Sequence, residues 1–212
     1  MGLSERKERE KQARKESIFE AARHVFLEKG YQLTSMNKIA EEAELSKATI
    51  YLYFKNKDDL FLSMTTEPLK KLRKEFEKIA KTDNSPEEKI FMLSHAFIKH
   101  WGKNRVDYQL GDTFITTYNR KSEAHRSLFN KIDVPLSEIL NIGVGIIEDG
   151  IKSGSFKKEI DPEKVMLVGW RTLVGLLQIV NFADISEKEG AFTNEILDLA
   201  IMIIFDGIKK RA

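Results

Sequence analysis

The stretch from Thr34 to Lys57, TSMNKIAEEAELSKATIYLYFKNK, constrains the fold more than any other part of this sequence. Its apolar residues recur at a helical spacing, and Thr34 or Ser35 is a natural N-cap for a first short helix. After a tight turn, Ser46 can cap a second helix that runs from Lys47 to about Phe54. The pattern therefore predicts two short helices joined by a turn.

The second of these helices has two chemically different faces. Ile50 and Phe54 lie on one stripe that must face inward. The opposite side mixes lysines with a phenol and small or apolar side chains, namely Ala48, Tyr51, Leu52 and Lys55, flanked by Lys47 and Thr49. Such a face suits a DNA major groove, where lysines meet phosphates or guanine edges and apolar groups meet thymine methyls. The segment is thus predicted to be a helix-turn-helix with a reading face.

The segment and its flanks resemble the tetracycline-repressor (TetR) family of bacterial transcriptional regulators. The resemblance is carried by Ala22, Phe26, Gly30-Tyr31, Thr34-Ser35-Met36, Ile39-Ala40, Ala43, Leu45-Ser46, Thr49-Ile50-Tyr51, Tyr53-Phe54, Asn56-Lys57 and Leu60. These residues cover roughly the first quarter of the chain and form a specific match. The remainder agrees with the family only in length and helical character.

The resemblance implies an all-α protein in which a three-helix DNA-binding unit precedes a helical bundle for ligand binding and dimerisation. Helix signals along the chain indicate about nine helices. The DNA-binding domain is expected at residues 1–57 and the effector-binding and dimerisation domain at residues 58–212. The implied function is that of a homodimeric repressor that a small-molecule effector releases from a palindromic operator in double-stranded DNA.

The expected DNA contacts come from the resemblance and, for Ala48 and Leu52, from the reading face. They are Ser35, Asn37, Lys47, Ala48, Thr49, Tyr51, Leu52, Tyr53 and Lys57. The chain departs from the family at Glu44, where a glycine usually occupies the turn. If that position requires a positive φ, a non-glycine residue costs about 1 kcal/mol there and also brings a carboxylate close to DNA.

Composition limits the other classes of function. Lysine and arginine total 35 and aspartate and glutamate total 33, so bulk charge cannot be the source of DNA affinity. There is no cysteine, which excludes disulfides, thiol catalysis and cysteine zinc sites. The amino terminus lacks the apolar segment of a signal peptide, and Arg171, Gln178 and Asn181 interrupt the longest apolar run. A cytoplasmic protein with no membrane span is expected.

The rest of the chain also carries helix start and stop signals, while alternating strand patterns are not evident. They predict helices over Lys11–Lys29, from Asn56 with a kink at Pro68, from Ser85, over Asp107–Tyr118, over Ser122–Lys152 with a kink or break at Pro135, from Asp161, and from Thr193 or Asn194. Gly30 and Gly154 stand where helices are expected to end.

The last two predicted helices, Val165–Ala183 and Ile196–Ile208, are apolar around most of their circumference. A helix of this kind must be buried on every side. Two explanations are open: a thick core in a single chain, or a four-helix interface with two helices from each protomer. The second is favoured, because two-fold symmetry allows a dimer to read a palindrome in successive major grooves.

A ligand pocket is expected among the middle helices, with ordinary core packing as the alternative for each aromatic residue. The candidates are Phe97, Trp101, Phe114, Tyr118, Trp170 and Arg171. Arg171 could pair with an acid across a dimer interface, extend to water, or hold an anionic ligand.

Enzyme functions find little support in the sequence. His95 and His100 are five residues apart, which separates them on a helix, so they do not form a helical metal-ligand pair. No catalytic residue, metal ligand or cofactor is predicted. The competing hypothesis is a helical protein-interaction module with a non-functional helix-turn-helix, which need not keep cationic and aromatic groups at Lys47, Tyr51 and Lys57.

Overall fold

The computed structural model describes residues 2–120, 122–180 and 187–210. Over these residues the chain forms nine α-helices and no strand, which confirms the predicted all-α class. The helices are α1 (Leu3–Leu33), α2 (Met36–Glu42), α3 (Lys47–Tyr51), α4 (Lys57–Ala80), α5 (Pro86–Lys103), α6 (Arg105–Thr117), α7 (Glu123–Ser153), α8 (Pro162–Val180) and α9 (Glu187–Ile208). An isolated antiparallel bridge joins Phe156 to Lys209.

The helices divide into two compact units. The first unit contains Met1–Pro68 and Val106–Ile132, and the second contains Leu69–Arg105 and Asp133–Ala212. The chain therefore passes from one unit to the other within α4, α6 and α7. The expected functional boundary near Lys57 remains a prediction.

The core of the first unit is built from the inward stripes of α1 to α4. Ile18, Ile39 and Ile50 have no exposed surface, and the rings of Phe19 and Phe54 lie 5.4 Å apart. Burial of each such side chain contributes about 1.5–3 kcal/mol. The short α2 and α3, which could not persist alone in water, are therefore held by the apolar side chains that they place in this core.

The first helix is longer than predicted at its amino end. It begins at Leu3 and not at Lys11, since its charged first turns support one another by local pairs such as Arg6 with Glu10 at 2.9 Å. At Gly30 the backbone has φ 71° and ψ 169°, a region that only glycine adopts readily. The predicted stop at Gly30 is confirmed as a break in helical geometry, and the three residues Tyr31–Leu33 form a further turn.

Most predicted caps are confirmed. The side chains of Ser35, Ser46 and Ser85 accept backbone N–H groups of the first turns of α2, α3 and α5. Asn56 accepts from Asp59 N–H at 2.8 Å, and Asp161 accepts from Glu163 N–H at 3.1 Å. These side chains satisfy amides that have no partner within the helix.

Two predicted helix ends are wrong. The helix of the reading face ends at Tyr51 and not near Phe54, because the N–H groups of Tyr53 and Phe54 both bond to the carbonyl of Ile50 and tighten the chain into a turn. The last helix begins at Glu187, ahead of Thr193 and Asn194. The residues before those two, EKEGAF, are mostly compatible with a helix, so the helix can extend ahead of Thr193 and Asn194.

In the second unit, α8 packs closely on α7. A Cβ added at Gly143 would clash with the sulfur of Met166 of α8, so the Met166 side chain packs directly against the backbone of α7 at this glycine. Pro135 lies inside α7 and does not split it, and Pro68 lies inside α4. In the part of the chain that the structure describes, no helix is long and apolar enough to cross a membrane.

Candidate DNA interface and ligand cavity

The recognition helix α3 is fixed by its cap and its buried stripe. The hydroxyl of Ser46 accepts the N–H of Thr49 at 3.0 Å and lies 2.8 Å from the hydroxyl of Thr49. Ile50 is fully buried on the opposite side. The outer face of the helix is therefore held in one orientation before any partner binds.

The outer face of α3 presents four of the predicted DNA contacts to solvent. Lys47 and Ala48 are exposed, Tyr51 is 44% exposed, and Leu52 is 84% exposed. The ammonium of Lys47 lies 5.9 Å from the centre of the Tyr51 ring. An apolar side chain as exposed as Leu52 has no partner of its own in the fold, which is the property expected of a side chain that meets a base edge.

The other predicted contacts border this face with different degrees of exposure. Ser35 and Asn37 are exposed at the start of α2, whereas Thr49 and Tyr53 are only partly exposed. Leu33, the last residue of α1, is 79% exposed and is not among the predicted contacts. The signal that could have found it is a leucine between the helix-ending glycine and the cap serine, where no helical stripe requires an apolar residue.

Lys57 is held by the first unit itself. Its ammonium donates to the carbonyls of Tyr31 at 2.7 Å and Gln32 at 3.3 Å, and it lies 4.4 Å from the centre of the Tyr31 ring. The Tyr31 hydroxyl donates to Asp58. Burial lowers the pKa of Lys57 from its ordinary value. The start of α4 is thus tied to the segment that leads into α2.

Glu44 occupies the turn between α2 and α3 with a φ of 52°. Its N–H bonds to Glu41 O at 3.1 Å, and the next amide, that of Leu45, bonds to Ala40 O at 3.0 Å. This position therefore does require a positive φ, and the turn keeps it although the residue is not glycine.

A charged pair inside the first unit joins α1 to α6. Arg23 donates to both carboxylate oxygens of Asp107, at 2.7 and 2.9 Å, and also to Glu16 at 2.8 Å. Asp107 is 4% exposed. Its carboxylate raises the pKa of Arg23, so the guanidinium is charged at any pH at which the protein folds. The two partners are 84 residues apart, and no local pattern could have revealed the pair.

The second unit contains an apolar cavity of about 60 Å³, and the space between its lining residues is about 620 Å³ when the open solvent at its mouth is counted. Helices α4, α5, α7, α8 and α9 each contribute to its lining. The lining residues are Phe76, Ile90, Leu93, Ser94, Phe97, Ile147, Val165, Met166, Gly169, Trp170, Leu173, Ile201, Ile204, Phe205 and Ile208. Ser94 brings a hydroxyl, which donates to Ile90 O at 2.9 Å. The remaining lining suits the hydrocarbon part of a ligand.

The predicted ligand-binding residues do not all meet at this cavity. Phe97 and Trp170 line it, with ring centres 4.2 Å apart. Trp101 is buried beside Phe97 without lining the cavity, and Arg171 is exposed. The remaining two candidates, Phe114 and Tyr118, belong to the first unit and pack around Tyr31. Sequence reasoning missed most of the lining because aliphatic residues look the same in a core and in a cavity.

Five large apolar side chains of α8 and α9 are exposed in the single chain. They are Leu167 at 49%, Val168 at 57%, Leu199 at 51%, Met202 at 49% and Ile203 at 63%. A helix pair with such a surface has more apolar area than one chain covers, as expected for an interface between copies.

The fold and the exposed helix-turn-helix define a DNA-binding protein, and comparison with known proteins identifies its family. A family model described as bacterial regulatory proteins of the tetR family matches residues 18–64. The fatty acid metabolism regulator protein of Bacillus subtilis (strain 168) is 33% identical over 144 residues, which is 68% of this chain and 71% of that protein. The chain belongs to the tetR family of bacterial regulatory proteins, and it is a DNA-binding, ligand-responsive repressor of transcription.

Solved structures agree with this assignment. The transcriptional regulator FadR from Bacillus subtilis, in complex with stearoyl-CoA, superposes with a TM-score of 0.66 at 27% identity over 87% of this chain and 96% of that chain. The fatty acid degradation regulator FadR from Bacillus halodurans gives 0.68 at 24% identity over 89% and 94%. The second likeness supports the fold.

Proposed function

We propose that two copies of the chain bind a palindromic operator, each with α3 in the major groove of one half-site. Lys47, Ala48, Tyr51 and Leu52 face the base edges, while Ser35, Tyr53 and Lys57 fix the position on the phosphate backbone. Asn37 and Thr49 complete the contacts that the family resemblance implies. The observation that carries the proposal is the rigidly capped α3, whose outer face exposes a lysine, a phenol and a leucine together.

The experiment is a binding titration on an operator selected from a pool of random DNA, with random duplex as the comparison. Tyr51→Ala should weaken operator binding more than random-DNA binding, because a base contact carries the difference between them. Tyr51→Phe, which keeps the ring, separates stacking from hydrogen bonding. Equal losses on both DNAs would remove Tyr51 from the reading face.

Operator affinity should also fall steeply with salt, since several phosphate contacts release counterions.

The exposed apolar residues of α8 and α9 support the dimer. In the proposed arrangement these two helices pair with the same helices of a second copy, as a two-fold interface requires. The complex would form in the cytoplasm, where a bacterial operator is located. Because the relatives are transcriptional regulators, the cavity in this proposal binds an effector and takes part in no catalytic step.

For the effector we propose a long-chain fatty acyl compound, because the cavity is apolar and the B. subtilis relative was solved with stearoyl-CoA. Phe76 of α4 lines the cavity, and the same helix begins at Lys57. An acyl chain against Phe76 would shift α4 and with it the spacing of the two recognition helices. The ligand must favour the non-binding geometry by a few kcal/mol to release the operator.

Octadecanoyl-CoA added to the protein–operator complex should release the DNA, and free coenzyme A should not. A Phe97→Trp variant, which fills part of the cavity, should need a higher concentration of the ligand while it binds the operator normally. No release by octadecanoyl-CoA at saturating concentrations would reject the acyl effector and leave the DNA-binding proposal intact.

A further inference from the structure

The cavity lining contains no charged side chain, although a fatty acyl ligand carries an anionic head group. Burial of that charge among apolar residues without a partner would be very unfavourable. A head group must therefore lie beyond the lining, where cations meet one end of the cavity. The structure shows such a place where the chain leaves α9.

The chain after α9 pairs with the segment between α7 and α8. Beside the Phe156–Lys209 bridge, Lys157 N–H donates to Ile208 O at 3.0 Å, and Lys210 N–H donates to Ser155 O at 2.9 Å. The pairing places four lysines on two adjacent backbone segments. This lysine cluster consists of Lys157, Lys158, Lys209 and Lys210.

The lysine cluster adjoins the cavity directly. The ammonium of Lys209 lies 5.6 Å from the centre of the Phe205 ring, and that ring lines the cavity. The ammonium of Lys157 donates at 2.7 Å to the carbonyl of Gly207, whose neighbour Ile208 is also a lining residue. The ammonium group of Lys209 therefore contacts a residue that lines the cavity, and that of Lys157 contacts the residue directly before a lining residue.

The cluster is also distinguished by its lack of carboxylate partners. Among the described residues none of its four lysines forms an ion pair, whereas the nearby Lys152 and Lys164 pair with Asp149 and Asp161 at 3.4 and 3.0 Å. In a chain of net charge +2, acids are abundant enough to pair with surface lysines. The cluster therefore keeps its positive potential for an anion from solution.

We propose that the lysine cluster binds the anionic head group of the ligand whose hydrocarbon chain occupies the cavity. This inference rests on the proposed acyl effector. It adds that the ligand is an anion and that its hydrocarbon chain enters the cavity at the end next to the lysine cluster. The head group is either a carboxylate or the phosphates of a thioester, since both are anions that lysine ammonium groups bind.

The test measures direct binding of three C18 probes without DNA: octadecanoate, octadecanoyl-CoA and octadecan-1-ol. Quenching of the cavity residue Trp170 gives the signal. The wild-type protein should bind both anions at least about tenfold more tightly than the alcohol at low salt, and added salt should reduce the difference. Tighter binding and a steeper salt dependence for the thioester would assign the cluster to phosphates; tighter binding of octadecanoate would assign it to a carboxylate.

The test variant carries Lys209→Glu and Lys210→Glu together. Lys81→Glu, at an exposed site elsewhere in the second unit, is the single-substitution control. Lys157 is left in place because it caps α9. The double variant should lose about tenfold or more in affinity for the anions and keep its affinity for the alcohol. Unchanged anion binding, or an equal loss for the alcohol, would overturn the head-group assignment. If the wild-type protein bound none of the three probes, the result would reject the proposed acyl effector itself, on which the head-group assignment rests.

Discussion

At the scale of single residues, two side chains near the recognition helix depart from simple expectation. Lys57 is expected to meet a phosphate, yet its ammonium already donates to two backbone carbonyls. Glu44 holds a left-handed turn that glycine would hold with less strain. Each therefore offers a measurement that separates an effect on the fold from an effect on DNA.

Glu44→Gly should raise the free energy of unfolding by about 1 kcal/mol, because glycine adopts a positive φ without the clash of a Cβ. For a chain of this size that is a rise of about 2–4 °C in melting temperature. Ala43→Gly is the matched control, since Ala43 has a φ of −78° and gains nothing from glycine. Loss of stability in Glu44→Gly would show that the carboxylate has a stabilising partner.

Lys57→Ala should weaken binding about equally on operator and random DNA, because Lys57 touches no base in the proposed complex. The salt dependence then separates two roles. A direct phosphate contact predicts a slope smaller by about 1 in the log–log plot, whereas pure positioning of the segment before α2 predicts an unchanged slope. An effect restricted to one base position would contradict both.

At the scale of helices, the pair between Arg23 and Asp107 links α1 to α6. The chain enters the first unit at Val106, so Asp107 anchors α6 directly after that entry. Breaking such a pair leaves one charge without its partner in a partly or fully buried place. The two partners should therefore be strongly coupled.

Asp107→Asn should lower the free energy of unfolding by about 2 kcal/mol, since it weakens charge-assisted hydrogen bonds. Arg23→Met, which leaves the carboxylate buried, should lower it by about 3 kcal/mol. Urea unfolding of the single and double variants gives the coupling, and the double variant should lose less than the sum. Arg6→Met, from an exposed pair, should change stability by less than about 0.5 kcal/mol. Strict additivity would show that the pair contributes nothing.

At the scale of the whole molecule, the exposed apolar residues of α8 and α9 determine what the protein does in solution. In the proposed dimer they lie at its centre, and a single recognition helix contacts too little DNA to bind a palindrome tightly. A substitution that prevents dimer formation should therefore also reduce operator affinity.

Ile203→Glu should convert the dimer to monomers, because it places a carboxylate in the middle of the proposed apolar interface. Sedimentation measures the mass, and a titration on the selected operator should show a loss of at least about 100-fold. Val134→Glu introduces the same charge at a residue of α7 that is similarly exposed, at 57% against 63%, and should leave the dimer intact. A monomeric wild-type protein would refute the dimer outright.

The sequence was sufficient for the features that depend on neighbours along the chain. Caps at Ser35, Ser46 and Ser85 and the break at Gly30 follow from contacts within a few residues. The two faces of α3 follow from helical periodicity in the same way. Family, fold class and the exposed reading face were therefore predictable from the order of the amino acids alone.

Tertiary structure decided the features that join distant parts of the chain. The Arg23–Asp107 pair, the carbonyl partners of Lys57 and the aliphatic lining of the cavity depend on which helices pack together. The placement of Phe114 outside the cavity and the bridge between Phe156 and Lys209 have the same origin. Packing selects these contacts from many that the same apolar and charged residues could form, and local patterns do not distinguish among them.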